Sequence, residues 1–452
     1  MGIKIFALLV AFANIACAQP KPLYLVLISI DGLKPAYLLD HEKLGIKIPN
    51  LASLMQAGSY AQAAESVFPS VTFPAHTAIV TGVQPAKHGI IQNKVFDPLE
   101  KNQEGWFWYA EAIKVKTLWQ AAKEKGATTA SVNWSATAGA DIDYNIPEYW
   151  RARTPEDFHL LRALATPRGF LQDIEKIYGA LNPQDYPDQK PEGISDVMVA
   201  NALKYLIANK KPNLILAHFV DLDTVEHKRG PNSTEAFQTL EKTDALIGQI
   251  IEATEQAGTF DQTVFTIVSD HGFTNYSKRI RLNPVFRDNG LLITDDKGKI
   301  TDWKAAIHYD GPLVGIMLKD PNDKETLNKV HKILEGLIKD PKNGIARIYE
   351  RREMAKYGGF PDAAFVIEAS PGYSFNPAME EPLVSDTSSK GAHGYCPSNP
   401  DMNAAFVISG NGIRKGVVIK KMKLIDVAPT LGKLMGWNLP QAEGKILDLI
   451  FF

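Results

Sequence analysis

Residues 23–32 read Leu-Tyr-Leu-Val-Leu-Ile-Ser-Ile-Asp-Gly, an apolar run that stops at an acidic residue and a glycine. The run lacks the polar and apolar alternation of a half-exposed strand, so it predicts a strand buried on both faces, as in a parallel sheet. Three later runs have the same form: 213–220 before Asp221 and Asp223, 263–269 before Asp270-His271-Gly272, and 404–409 before Gly410.

Helical patterns separate these predicted strands. The clearest covers 234–253, and others cover 116–125 and 194–208; in the first, one face carries Phe237, Leu240, Ile247, Ile250 and Ile251. Alternating strands and helices predict an α/β fold with a doubly wound, mostly parallel sheet flanked by helices. In such sheets, ligands bind beyond the carboxyl ends of the strands, which is where the acidic residues of this chain fall.

Two regions depart from this alternation. Residues 145–192 are rich in Pro, Tyr, Trp and Arg, which predicts an irregular excursion over the site. Residues 280–385 mix short strand and helix patterns, including a helix over 321–339, and predict a smaller α+β cap insertion. We therefore expect one catalytic domain over 19–452 with a cap subdomain inside it.

Composition excludes several classes of protein. The chain has 452 residues, of which 45% are hydrophobic and 22% are charged, so it is neither disordered nor collagen-like. Its net charge is −2 and no long run has one sign, which argues against a protein that binds nucleic-acid polymers through a basic face. The 2 cysteines cannot form a disulfide scaffold.

The first 18 residues have the pattern of a signal peptide. Lys4 supplies a positive charge, 5–15 is an apolar run too short to span a bilayer comfortably, and Ala16-Cys17-Ala18 fits the small-residue cleavage rule. The alternatives are an uncleaved anchor and a lipoprotein attached through Cys17. No later stretch is long and apolar enough to cross a membrane. We expect a mature chain from Gln19 that is exported, either to the periplasm or outside the cell.

Acidic and histidine residues form separated clusters that suit metal ions. Asp and His four residues apart, as in Asp223 and His227, can share one helix face. Six nitrogen and oxygen ligands would suit two zinc-like ions with about three protein ligands each: Asp31, Asp223, Asp270, His227, His271 and His393. Thr72 precedes a helix-compatible segment whose free N–H groups would favour an anion, although a threonine helix cap would give the same pattern.

These clusters resemble the nucleotide pyrophosphatase/phosphodiesterase family of the alkaline phosphatase superfamily. The matching segments run from Leu25 to Leu431 in the family's order and spacing: ISIDGL, FPSVTFPAHTAIVTGVQPAKHGIIQNKVFDP, LDTVEHKRGP, VSDHGF, GAHGY and PDM. The resemblance implies an alkaline-phosphatase-like fold and two zinc ions per chain. It also implies that the enzyme cleaves phosphodiester or phosphoanhydride bonds through a covalent phosphothreonine.

The resemblance assigns a role to each matching residue. Asp31, Asp270 and His271 would hold one zinc ion, which also binds the nucleophile Thr72. Asp223, His227 and His393 would hold the other zinc ion. Asn93 would hydrogen-bond a non-bridging phosphate oxygen, and Phe73 and Tyr149 would form the walls of a pocket for the nucleoside base.

The chain departs from the family pattern at two places. Glu226 replaces the usual glycine before His227, which brings a carboxylate close to the predicted site. The usual Trp-Pro-Gly-Ser is Trp134-Ser135-Ala136-Thr137. His76 and His88 match no ligand position and are interpreted as structural, and His218 is interpreted as packing inside the sheet.

The functional prediction is a two-zinc phosphodiesterase or nucleotide pyrophosphatase that acts on a small-molecule phosphodiester, namely a nucleotide. A phosphomonoesterase is an alternative, but 135–138 carry none of the cationic residues that a monoester dianion usually needs. A phospholipid head-group phosphodiesterase and a non-catalytic binding protein of the same fold are further alternatives. A sulfatase is disfavoured because Thr72 cannot become formylglycine. The oligomeric state stays open.

Overall fold

The computed structural model describes residues 24–102, 105–181, 194–309 and 311–452. The predicted signal peptide, 1–18, lies outside these residues. In chain order the strands are β1 (Tyr24–Ile30), β2 (Ser59–Ala61), β3 (Ala64–Glu65), β4 (Thr129–Val132), β5 (Tyr144–Ile146), β6 (Leu214–Phe219), β7 (Thr263–Val268), β8 (Thr274–Ile280), β9 (Leu292–Thr294), β10 (Ile300–Trp303), β11 (Ala305–His308), β12 (Leu313–Leu318), β13 (Ile345–Glu350), β14 (Phe365–Ala369), β15 (Gly372–Phe375), β16 (Val384–Asp386), β17 (Gly391–Ala392), β18 (Phe406–Gly410), β19 (Val418–Ile419) and β20 (Met422–Lys423).

The α-helices of the described residues also follow in chain order. They are α1 (Pro35–Leu39), α2 (His41–Leu44), α3 (Pro49–Ala57), α4 (Thr72–Thr81), α5 (Pro85–His88), α6 (Leu118–Lys123), α7 (Glu156–Leu164), α8 (Phe170–Tyr178), α9 (Asp196–Asn209), α10 (Asp221–Arg229), α11 (Thr234–Gln256), α12 (Asn283–Asp288), α13 (Lys324–Ile338), α14 (Arg351–Tyr357) and α15 (Val427–Met435).

The main sheet has 8 strands in the order β19-β2-β18-β7-β1-β6-β4-β5. Each neighbouring pair from β7 to β5 is parallel, whereas β18 runs antiparallel to both β7 and β2. The prediction of a doubly wound, mostly parallel sheet is therefore confirmed. The run 404–409 does form a buried strand, but this strand is antiparallel.

Both faces of the central strand are buried, which explains its uninterrupted apolar sequence. Val26, Ile28 and Ile30 face a core that they share with α3, α9 and α11. Leu25 and Leu27 face a second core on the opposite side, shared with α4, α6 and α15. Helices thus cover the sheet on both sides.

The three helices predicted beside the sheet are present as α6, α9 and α11. The hydroxyl of Ser233 accepts the N–H of Ala236 at 3.2 Å, which caps the start of α11. Thr117 and Gln120 form a reciprocal capping box at the start of α6. These caps agree with the predicted starts to within a few residues.

Residues 280–385, predicted as an α+β insertion, carry a second sheet. β11, β12, β14 and β13 form a 4-stranded antiparallel sheet, and α13 packs against it around a separate core. Nε2 of His308 donates to the carbonyl of Lys94 at 2.7 Å, so this unit contacts the loop that carries Asn93. Whether it covers a substrate as a cap stays a prediction.

The region 145–192 was predicted to be irregular, and this prediction was wrong for 156–178. That segment forms α7 and α8, whose apolar faces pack into the same core as α9. The helical spacing of apolar residues in α7 and α8 was not recognised, because the stretch before α7 is rich in Pro, Tyr and Trp. Within the described ranges, none of the helices combines the length and hydropathy needed to cross a membrane.

Candidate active site

The parallel strands β1 and β7 bring two predicted ligands to the same edge of the sheet. Asp31 follows β1, and Asp270-His271 follow β7. Nε2 of His271 lies 3.0 Å from Oδ2 of Asp270 and 3.3 Å from Oδ1 of Asp31. The other Asp270 oxygen accepts the N–H of Gly32 at 3.3 Å. Two carboxylates therefore converge on one imidazole.

The next strand, β6, leads into α10, which carries Asp223 and His227 one helical turn apart. Nε2 of His227 lies 3.5 Å from Oδ2 of Asp223. His393 follows β17, which pairs with β8 and so returns to the same edge. Its Nε2 lies 3.6 Å from Oδ1 of Asp223. The rings of His393 and His271 are stacked, with centroids 3.5 Å apart.

The three predicted ligand histidines are held in the same way. Nδ1 of His227 donates to the carbonyl of Gly391 at 3.0 Å, and Nδ1 of His271 donates to that of Gly272 at 3.2 Å. Nδ1 of His393 donates to the carbonyl of Ser70 at 3.2 Å. A hydrogen on Nδ1 leaves the lone pair of a neutral ring on Nε2, which is the nitrogen that faces the carboxylates.

The arrangement fits a pair of divalent cations. One ligand atom each from Asp223, His227 and His393 lie within 4.8 Å of one another, and the same holds for Asp31, Asp223 and His271. Four buried atoms of these side chains have no hydrogen-bond partner in the described part of the chain: Oδ1 of Asp31, Oδ1 of Asp223, Oδ2 of Asp270 and Nε2 of His271. Unsatisfied buried ligand atoms that converge in this way are typical of a metal site.

The pKa shifts of these side chains also agree with a cation site. Burial raises the pKa of Asp31 well above its ordinary value, and the nearby carboxylates of Asp270 and Asp223 raise it further. Burial alone would lower the pKa of His271, but Asp270 and Asp31 raise it to about 9. The pKa of His393 is lowered well below its ordinary value by burial and by His271 and His227. The carboxylates thus raise one another's pKa and favour positive charge on His271, so the site favours a cation among these oxygen and nitrogen donors.

Thr72 is the first residue of α4, and the residue in the cap position is Val71. The side chain of Thr72 therefore does not act as the helix cap. Oδ1 of Asn93 accepts the N–H of Phe73 at 2.8 Å, which leaves the amide nitrogen Nδ2 as the donor end of Asn93. Ser70, two residues before Thr72, binds His393 through its carbonyl. The backbone on either side of Thr72 is thus tied to Asn93 through Phe73 and to His393 through Ser70.

The two predicted base-pocket residues, Phe73 and Tyr149, belong to one aromatic cluster. Phe73 is fully buried, and its ring centroid is 5.2 Å from Trp106 and 5.8 Å from Trp108. Tyr149 contacts the other side of Trp108 at 5.3 Å and lies beside Tyr109, whose side chain is exposed. Trp106 therefore covers the ring of Phe73, and Tyr109 is the more accessible of the two tyrosines.

Glu226 is buried close to the predicted metal ligands, because Asp223 and His271 both act on its charge, and its Oε2 has no hydrogen-bond partner among the described residues. Its Oε1 accepts the hydroxyl hydrogen of Tyr37 at 2.5 Å, and the residue is fully buried. Its other oxygen lies against Gly32, where an added Cβ would approach it to 2.8 Å. Burial raises the pKa of Glu226 well above its ordinary value. Through Oε1 the carboxylate thus links α10 to α1.

The sequence interpretation missed a polar network behind the ligands. Nε2 of His218 lies 3.1 Å from Oδ2 of Asp31, and Nδ1 of His76 donates to the carbonyl of Thr72 at 2.9 Å. Burial would lower the pKa of His218, but Asp31 and Glu148 at its ring nitrogens raise it well above its ordinary value. No local motif marks His218, because its partners come from other strands.

Comparison with known proteins agrees with the fold and with the motifs. The sequence profile of the type I phosphodiesterase/nucleotide pyrophosphatase family matches residues 25–396. The chain is 24% identical to ectonucleotide pyrophosphatase/phosphodiesterase family member 1 of Homo sapiens over 89% of this chain and 39% of that protein. It is 23% identical to the human bis(5'-adenosyl)-triphosphatase over 92% of this chain and 78% of that protein.

Solved structures resemble the chain at the level of the fold. Murine ectonucleotide pyrophosphatase/phosphodiesterase 5 superposes with a TM-score of 0.67 at 18% identity, covering 94% of this chain and 100% of the murine one. An inactive threonine-to-alanine form of that murine protein, in complex with AMP, superposes with a TM-score of 0.66. The chain spans only 39–40% of the length of the mammalian family member 1 proteins that it matches.

Proposed function

Because this chain belongs to the type I phosphodiesterase/nucleotide pyrophosphatase family, we propose that it is a two-zinc hydrolase of nucleotide phosphodiester or phosphoanhydride bonds with Thr72 as its nucleophile. The observation that carries the proposal is the convergence of buried ligand atoms with no hydrogen-bond partner among the described residues. They come from segments as far apart as Asp31 and His271. Packing alone gives no reason to gather such atoms, since each buried polar group without a partner costs free energy.

Each of the two cations would have its own ligand set. Asp31, Asp270 and His271 would hold one zinc ion together with the hydroxyl of Thr72. Asp223, His227 and His393 would hold the other, and Asp223 belongs to both close clusters. Bound zinc would supply Lewis-acid stabilisation of the oxygens at phosphorus and would lower the pKa of a coordinated hydroxyl.

The chain's own groups then account for the rest of the chemistry. The hydroxyl of Thr72 gives up its proton to water and its Oγ1 attacks phosphorus, the bond from phosphorus to the leaving oxygen breaks, the leaving oxygen takes up a proton, and a phosphothreonine ester forms. Nδ2 of Asn93 donates to a non-bridging phosphate oxygen, because its Oδ1 already accepts the N–H of Phe73. Water then cleaves the ester, which releases phosphate or a phosphomonoester and restores the Thr72 hydroxyl.

A nucleotide is the substrate that the available observations favour. A murine structural relative was solved with AMP, and a human relative is named for hydrolysis of a diadenosine triphosphate. Trp106 and the exposed Tyr109 of the aromatic cluster would offer faces for a base near Thr72. Residues 135–137 are buried and carry no cation, which agrees with a substrate less charged than a phosphomonoester.

Replacement of Thr72 tests the nucleophile. We expect Thr72→Ala to lose turnover of a nitrophenyl nucleotide diester by several orders of magnitude while it still binds 2 equivalents of zinc, because the ligands remain. Thr77→Val is the matched control, since this buried threonine of α4 only donates to the carbonyl of Phe73. A Thr72→Ala variant with near-normal turnover would refute the role of Thr72.

A substrate panel tests the remaining alternatives. The zinc-loaded chain should cleave diadenosine polyphosphates and nucleotide diesters faster than nitrophenyl phosphate or choline-containing phospholipids. A preference for nitrophenyl phosphate would instead indicate a phosphomonoesterase, and a preference for the lipids would indicate a head-group phosphodiesterase. A chain that takes up no zinc in equilibrium dialysis would contradict the proposal as a whole.

A further inference from the structure

A chain of buried polar side chains lies behind Asp31, and the proposed reaction does not use it. Nε2 of His218 lies 3.1 Å from Oδ2 of Asp31, and Nδ1 lies 3.5 Å from Oε2 of Glu148. The hydroxyl of Ser135 donates to the same Glu148 oxygen at 2.6 Å. His218 is 0% exposed, Ser135 1% and Glu148 5%, so water does not compete for these contacts.

The two oxygens of Asp31 have different surroundings. Oδ2 is paired with His218, whereas Oδ1 lies 3.3 Å from Nε2 of His271 and has no hydrogen-bond partner in the described part of the chain. A contact to one oxygen fixes the rotation of the carboxylate, and therefore the direction in which the other oxygen points. His218 thus determines which oxygen of Asp31 faces the ligand cluster.

The network depends on the order of strands in the main sheet. β6 lies next to β1, and Ser29 pairs with His218. On its other side β6 pairs with β4, after which Ser135 follows, and Glu148 follows β5 beyond it. Nδ1 of His218 also lies 3.2 Å from the carbonyl of Asn133. Both ring nitrogens of His218 therefore contact groups that follow β1, β4 and β5. The imidazole cannot rotate without breaking these contacts.

We propose that His218 is a positioning residue that aims Asp31 at the metal, with Glu148 holding the imidazole and Ser135 holding Glu148. The inference rests on the proposed function, because the cluster that Asp31 joins must bind a divalent cation. It adds a role for Ser135, one of the positions at which the chain departs from the family's Trp-Pro-Gly-Ser. It also explains why a histidine and a glutamate are tolerated deep inside the sheet.

Zinc affinity tests this role without measuring turnover. The full chain is freed of metal with a chelator and then titrated with zinc against a chromophoric competitor. We expect the wild-type chain to bind 2 equivalents. His218→Phe should weaken one of them by about 10–100-fold and leave the other unchanged, because Asp31 is the one predicted ligand that contacts His218.

Conservative variants separate positioning from packing. His218→Gln keeps an amide donor near the position of Nε2 and should recover part of the lost affinity, while Glu148→Gln should give a smaller loss. His88→Gln is the control, since His88 is equally buried and bonds to the backbone of Ile90 and Pro74 but to none of the six predicted ligands. It should lower thermal stability and leave both zinc affinities as they are.

Two results would overturn the inference, and they can be told apart from failure of the proposed function. If folded His218 variants melt earlier but bind both equivalents as the wild type does, His218 only fills space. If His218→Phe does not fold, unchanged affinities in His218→Gln and Glu148→Gln refute the role equally. A wild-type chain that binds no zinc refutes the proposed function first, which the wild-type titration alone reveals.

Discussion

Asn93 is held by the backbone of α4, which orients its side-chain amide. Its Oδ1 accepts the N–H of Phe73 at 2.8 Å, so a phosphate oxygen would be met by the amide hydrogens. The contact orients the side chain and ties it to the first turn of α4 beside Thr72. Substitution of Asn93 therefore tests how the non-bridging oxygens of the phosphate are stabilised.

We expect Asn93→Ala to lower kcat/KM for a nucleotide diester by about 10²–10³-fold, because one preorganised donor to the developing charge is lost. Asn93→Asp should be impaired at least as much, since it keeps the acceptor for Phe73 but faces phosphate with a negative charge. Steady-state kinetics on both variants, with zinc content measured in parallel, provide the check. The exposed Asn322→Asp serves as the control, and normal kinetics in Asn93→Asp would contradict the expected role.

The sequence predicts single residues well where the signal is local. Asp31 and Asp270 stand directly after apolar runs, and Asp223 and His227 stand one turn apart, so their convergence follows from the fold class. The tether from His227 to the carbonyl of Gly391 has no local signal, because it joins segments far apart in the chain. His218 was interpreted as a packing residue for the same reason: its partners follow other strands.

At the scale of elements, the site depends on a close approach between α10 and β17. Gly391 has no room for a side chain, since a Cβ there would collide with the backbone oxygen of Glu226 and come within 2.9 Å of the Phe273 ring. The carbonyl of Gly391 also accepts from His227, and His393 lies two residues later. The spacing between these two elements therefore sets the positions of two predicted ligands.

We expect Gly391→Ala to lower the melting temperature and to weaken binding of one zinc equivalent, because α10 and β17 must move apart. Gly336→Ala is the control, since its Cβ would meet nothing within 4 Å. In the last turn of α13 this change should stabilise the chain by less than about 1 kcal/mol. Thermal melts and zinc titrations of both variants test the pair. Wild-type behaviour of Gly391→Ala would show that the backbone adjusts without cost.

Helices could be predicted from the sequence where apolar residues kept a helical spacing over many residues. The 20-residue pattern at 234–253 gave α11, and its amphipathic face packs into the core as expected. α7 and α8 were missed because each spans only 9 residues and follows a Pro- and Trp-rich stretch. Short helices offer too few turns for the period to be distinguished from irregular structure.

At the scale of the whole molecule, buried histidines make the stability of the fold depend on pH. His308, in the second sheet, donates from Nε2 to the carbonyl of Lys94. Burial lowers the pKa of His308 from 6.5 to about 4. The unfolded chain therefore binds a proton first as pH falls, and the stability contributed by the neutral ring is lost between about pH 6.5 and pH 4.

We expect this group to cost about 2 kcal/mol of unfolding free energy when the pH falls from 7 to 5. His308→Gln keeps a donor for Lys94 but cannot titrate, so its stability should fall less than that of the wild type over this range. Urea unfolding of both chains at the two pH values gives the difference, with the exposed His159→Gln as control. An equal fall in wild type and His308→Gln would remove His308 as the cause.

The fold class followed from the sequence because buried parallel strands have a strong compositional signature. The antiparallel direction of β18 could not be predicted in this way. An apolar run is compatible with either strand direction, and the direction depends on the connection that precedes the strand. The contact between the second sheet and the loop of Asn93 could not be predicted from the sequence either. It depends on hydrogen bonds between residues far apart in the chain, such as that from His308 to Lys94.

The order of the ligands along the chain bears on how the protein is made. Asp31, Asp223 and Asp270 leave the ribosome well before His393, so the strands that carry them can pair while the last imidazole is still untranslated. A nascent chain in that state brings acidic groups together with an incomplete set of nitrogen donors. The cluster of Asp223, His227 and His393 can form only after synthesis has passed residue 393, so a metal ion that needs all three side chains would be bound late in biogenesis.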